Sequence, residues 1–153
     1  MGMHASDMAF YSRSMAELER TTTLGFREML RESKRLSDGI DAEVTEQPVR
    51  YLLSELTLPS LDKAVEKEAV LVARLRCARA ALSLERSRRG TGQLPGVVLA
   101  NWLTDPVDDE FLEFDYPKKG GFRVWARAAS ELLNQGRARN STNWQDVAFT
   151  VVK

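Results

Sequence analysis

The segment from Asp105 to Glu110 holds four carboxylates, Asp105, Asp108, Asp109 and Glu110. Carboxylates held a few ångströms apart act as acid–base pairs or as oxygen ligands for a hard cation. No histidine, lysine or phosphate-binding loop adjoins this run, so a solvated acidic turn is the expected reading. Six arginines, Arg74, Arg76, Arg79, Arg86, Arg88 and Arg89, lie on one predicted helix. A nucleic-acid stripe is usually interleaved with aromatics or shifts the net charge. Here Glu66, Glu68 and Glu85 share the helix and the net charge is zero, so a solvated helix face is expected and no nucleic-acid partner.

Cys77 is the lone cysteine and His4 the lone histidine. One cysteine excludes an internal disulfide and the common Cys-rich zinc sites. Arginines near Cys77 can lower a thiol pKa, but a small buried residue fits its apolar neighbours better. His4 lies in the Met1–Ser6 tail, which fits a myristoylation pattern, but that pattern is short and degenerate and a plain start is the favoured reading. Lys118-Lys119-Gly120-Gly121 lies between two strand patterns with no helix behind it, so it reads as a hairpin turn and not as a phosphate loop. No catalytic residue, cofactor-binding residue or metal ligand is assigned, and the chain is expected to be no enzyme and to carry no cofactor.

The elements that position these residues follow from periodicity. The chain has 153 residues, 43% of them hydrophobic, enough for a packed core. Met8, Tyr11, Met15, Leu18, Thr22, Phe26 and Met29 recur in steps of three and four. That predicts a helix capped by Ser6 or Asp7, weakened at Gly25 and stopping near Ser37-Asp38-Gly39. The polar run 41–47 reads as a linker. Val49, Leu52, Leu53 and Leu56 predict a short amphipathic helix, interrupted at Leu58-Pro59-Ser60. A spine helix from Leu61 to about Arg89 follows, its apolar side expected at Leu61, Ala64, Val65, Ala69, Val72, Leu75, Ala78 and Leu82, with Gly90-Thr91-Gly92 ending it. Val98, Leu99 and Trp102 suggest a short helix or turn.

Three alternating runs, at 112–116, 121–127 and 146–153, predict antiparallel strands. The first two form a hairpin, and 128–133 form a helical turn before the third. Leu112, Phe114, Phe122, Val124, Val147, Phe149 and Val151 are expected to face Val72, Leu75, Ala78 and Leu82 of the spine. Arg123, Trp125 and Arg127 then point the other way. A tryptophan between two arginines on an outer face is an interaction surface, or is covered by the N-terminal helix through Met8, Tyr11, Met15 or Leu18.

From Tyr51 onward several short words carry a resemblance. They are Leu52-Leu53-Ser54 with Leu58-Pro59, the run Arg74 to Arg86 with Ala78-Arg79 and Ala81-Leu82, and Leu94-Pro95. Asp105-Pro106, Gly121-Phe122 with Val124, and Asp146-Val147 with Phe149 complete the order. In this order the chain resembles the C-terminal region of bacterial pilin- and pseudopilin-like proteins, the major type II secretion pseudopilin among them. The resemblance implies a helix on a three-stranded antiparallel sheet, a cell-envelope or periplasmic setting and an N-terminal membrane helix.

This chain shows no apolar run of membrane-spanning length. It is therefore expected to make no membrane contact itself: either it is the C-terminal part of a longer protein with the anchor upstream, or it is a remnant that has lost the anchor. The resemblance also implies calcium in the loop before the last strand. Only Glu131 and Asp146 are acidic there, so Asp146 alone matches by position and no metal site is predicted.

The expectation is an α+β chain with a helical N-terminal segment at 1–58 and a pilin-like helix plus sheet at 59–153. Its expected role is a non-enzymatic structural or protein-interaction module of the cell envelope, acting through a protein partner or self-association. The alternative is a cytoplasmic helical adaptor.

Overall fold

The computed structural model describes residues 2–58, 61–93, 103–116, 121–135 and 145–152. The residues Pro59 and Ser60, the run carrying Val98, Leu99 and Trp102, the hairpin turn at 117–120 and the loop 136–144 lie outside these, as does the side chain of His4. The fold is α+β. Among the described residues five helices, α1 (Gly2–Thr21), α2 (Phe26–Glu46), α3 (Leu52–Thr57), α4 (Leu61–Thr91) and α5 (Arg127–Leu133), accompany three strands, β1 (Glu113–Asp115), β2 (Phe122–Ala126) and β3 (Val147–Val151). The chain divides into two compact units, Met1–Lys67 and Glu68–Lys153, with the division inside α4.

In the first unit the expected single helix is two. Thr21, Thr22 and Thr23 each turn a hydroxyl back to donate to the carbonyl three residues earlier, at Leu18, Glu19 and Arg20. Three successive side chains thus compete with the backbone ladder. Gly25 then takes an extended conformation and starts α2. That helix runs through Ser37, Asp38 and Gly39 and continues to Glu46, so neither the expected stop nor the expected linker exists. The reason is burial. Met29, Ser33, Ser37 and Val44 line its inner face, and Val44 joins Phe10, Tyr51 and Leu58 in the unit's core. An interior glycine costs a helix only about 1 kcal/mol, less than burying such a face returns.

Asp7 is no cap. It sits inside α1, buried, and accepts from the hydroxyl of Ser54 on α3. Ser54 and Leu58 are buried there, whereas Val49, Leu52 and Leu56 of the expected apolar face are exposed; the side chain of Leu53 lies outside the described residues. Phe10 stacks on Tyr51 with ring centroids 4.4 Å apart.

The second unit packs α4 on the sheet. The strand order is β1-β2-β3, antiparallel throughout, with Val124 opposite both Phe114 and Phe149. Phe122, Val124, Ala126 and Val147 are fully buried, as period two requires. Phe149 shares that face but lies on an edge strand and remains partly exposed.

Of the apolar side expected for α4, Val65 and Ala69 are buried, but Leu75 and Leu82 do not face the sheet. Val70, Ala73, Cys77, Ala80, Ala81 and Leu84 meet the sheet, whereas Leu75 is 61% and Leu82 66% exposed. Two apolar stripes with the same three-and-four spacing run along α4, and the small-residue stripe lets the sheet approach more closely. Gly92 ends the helix at φ 75°, its N–H donating to Arg88. Gly121 opens β2 at φ 88°, where a Cβ would lie 2.1 Å from the Val151 carbonyl oxygen. Among the described residues no helix is long and apolar enough to cross a membrane.

Candidate interaction surface

Strand β2 is central, so its odd residues form the middle row of the sheet's outer face. Trp125 lies opposite Glu113 of β1 and Ala148 of β3, and Arg123 opposite Asp115 and Thr150. Both side chains are half-buried. The Arg123 guanidinium sits 5.4 Å from the Trp125 ring centroid and is ion-paired with Asp146. The guanidinium thus bridges the indole face and the Asp146 carboxylate, and the cation–π contact favours this ring orientation.

Arg127 is not the next residue of the strand. It is the first residue of α5, and it binds Asp108 at 3.1 Å, Glu113 at 3.3 Å and Glu131 at 3.6 Å. The structure thus brings Arg123 and Trp125 together and ties Arg127 to them through Glu113. The guanidinium lines an open cavity of about 300 Å³ with Asp105, Asp108, Glu110, Phe111 and Glu113.

The acidic run is a turn with Asp109 and Glu110 exposed, as expected, but Asp105 is not solvated. Asp105 and Pro106 are buried. One Asp105 oxygen accepts from the Val107 N–H and the other from the Ala129 N–H in the first turn of α5. The carboxylate therefore folds its own loop and caps a distant helix. Burial raises its pKa above the ordinary carboxylate value, against the lowering by these N–H donors. Asp109 takes φ 63°, a left-handed conformation an aspartate tolerates, and its N–H donates to the Asp105 carbonyl. Arg76 holds the loop to α4 by donating to the carbonyl and hydroxyl of Thr104.

Two more buried polar residues were not singled out in the sequence. Ser130 donates to the Ala126 carbonyl and accepts from the Val147 N–H. Asn134 donates to the carbonyls of Ser130 and Gln145 and accepts from the Gln145 N–H. They bind α5 to the start of β3. Their spacing of four, with Asn134 just past the end of the predicted helical turn at 128–133, was the available signal.

Cys77 is buried and its thiol lies 3.6 Å from the Val147 carbonyl oxygen. Burial, with the Asp105 charge second, pushes its pKa up to about 12. On the arginine-rich end of α4, Arg88 and Arg89 both bind Glu85, which they hold down to about 2. Among the described residues no three His, Cys, Asp or Glu side chains converge to hold a metal ion. Comparison with known proteins found no family model, no curated relative and no solved structure that matches the chain.

Proposed function

We propose that the chain is a non-enzymatic protein-interaction module of the cell envelope, its second unit arranged in a pseudopilin-like order and its partner bound on the outer face of the sheet at Arg123 and Trp125, beside Arg127. The observation that carries this reading is the half-buried Trp125 held by Arg123 on the central strand. An indole fixed before binding loses little conformational freedom on contact, the property that favours tryptophan and arginine as interface anchors. The carboxylates nearest this face support a non-catalytic role, because they are engaged in caps and ion pairs. Asp105 serves two backbone donors, and Asp108, Glu113 and Glu131 serve Arg127.

A second reading, the cytoplasmic helical adaptor, is favoured by the first unit. Three helices there enclose their own core of Phe10, Val44, Tyr51 and Leu58, which the pseudopilin order does not require.

Fractionation of the tagged protein expressed in its native host separates the two. The envelope reading predicts recovery with the envelope, and release by Trp125→Ala at an unchanged melting temperature. Recovery of the wild type in the cytosol would favour the adaptor, and envelope retention of the variant would remove Trp125 as the contact.

A further inference from the structure

Strand β3 lies at an edge: in the order β1-β2-β3 it pairs only with β2 among the described residues. The hydroxyl of Ser130 shows which way its backbone faces. It donates to the Ala126 carbonyl and accepts from the Val147 N–H, so it stands where the ladder bond of that opposed pair would run. Val147 therefore turns its N–H toward β2. The Val151 carbonyl oxygen faces the same way, since a Cβ on Gly121 would collide with it. These directions alternate along an antiparallel strand, which leaves the N–H and C=O groups of Ala148 and Thr150 pointing away from the sheet. This edge is unprotected. No charged residue and no proline stands between Val147 and Val152, and Phe149 and Val152 are exposed. The edge at β1 differs, because that strand has three residues and two of them are Glu113 and Asp115. Shortness and charge keep an edge strand from pairing, and β3 has the weaker share of both.

We propose that β3 pairs antiparallel with β3 of a second copy, about a two-fold axis at Phe149, and joins two three-stranded sheets into one. The strand is its own complement. Read from either end, Val147-Ala148-Phe149-Thr150-Val151 runs apolar, small, aromatic, small, apolar. About that axis Val147 meets Val151 of the second copy, Ala148 meets Thr150, and Phe149 meets its own kind. The outward N–H and C=O groups of Ala148 and Thr150 then bond to each other across the contact. This is the one register that opposes all five residues of the strand, and it keeps the valines and Phe149 on the inner apolar face. The exposed part of Phe149 is covered, and no charged residue of the strand is buried, because it has none. A two-fold contact of this kind closes on itself and leaves no β3 edge for a third copy. The contact lies at the sheet's edge and does not depend on what binds Trp125.

Sedimentation of the full chain and of the variants Thr150→Lys and Thr150→Glu tests this. Thr150 is exposed. In the proposed pair its two copies lie diagonally across the contact on one face, so either variant alone sets like charges against each other. The wild type should show a concentration-dependent equilibrium between monomer and dimer. Each variant alone should dimerise roughly tenfold or more weakly, and an equal mixture of the two should recover a dimer at least as tight as the wild type's. Arg123 lies opposite Thr150 within each chain, so a lower melting temperature is expected for Thr150→Lys and not for Thr150→Glu. A wild type that stays monomeric at every concentration would overturn the proposal and leave the edge to an extended segment of another protein. A dimer that neither variant weakens would place the contact elsewhere. Failure of the mixture to recover the dimer would overturn the pairing of β3 with itself.

Discussion

Leu82 and Leu84 are two residues apart on α4, yet one is 66% exposed and the other 2%. Leu84→Ala should cost about 2–5 kcal/mol, the range for emptying a packed site. Leu82→Ala should stay within about 0.5 kcal/mol. Denaturant unfolding of the two variants checks the assignment, and a reversed order would return the outer stripe to the core. Cys77 lies on the inner stripe, and its pKa of about 12 leaves it a thiol at neutral and mildly alkaline pH. A thiol reagent at pH 8 should label it only after unfolding, and prompt labelling of the native protein would contradict its burial. Single residues were the least legible level of the sequence. Asp105 looked like one of four solvated carboxylates, because nothing in its neighbours announces a backbone donor at Ala129, 24 positions away.

Elements were more legible where one periodicity dominates. Strand β2 alternates cleanly, and Phe122, Val124 and Val147 turned inward as read, while Phe149 on the edge strand β3 stays 40% exposed. The helix α4 defeated the same logic because its two stripes share one spacing. The larger leucines suggested the core, while the space beneath the sheet took alanines and Cys77. The fate of Ser37-Asp38-Gly39 was decided by Val44, seven residues beyond Ser37. Gly39 now makes a sharp test. It is helical, and an added Cβ would meet nothing within 4 Å. Gly39→Ala should raise stability by about 0.4–1 kcal/mol. A left-handed stop at that position would make the same substitution destabilising, and thermal or chemical melts distinguish the two.

At the scale of the whole molecule, the α+β architecture was readable and its calcium chemistry is a matter for measurement. The two acidic residues that flank the loop before β3 are engaged: Glu131 with Arg127 and Asp146 with Arg123. A cation would have to displace an arginine at each. Melting curves in calcium and in chelator should therefore coincide, because a ligand selective for the native state raises the melting point. A rise of several degrees in calcium would contradict this.

A partner surface on the sheet's outer face requires Trp125 to be reachable from solvent. A variant with Trp102 and Trp144 replaced by phenylalanine leaves it as the only indole. Acrylamide should quench its fluorescence clearly in the isolated protein, to an extent between that of a free indole and that of one sealed in a core. Quenching close to zero would mean that the chain covers Trp125 itself, and the outer face could not then serve as the partner surface.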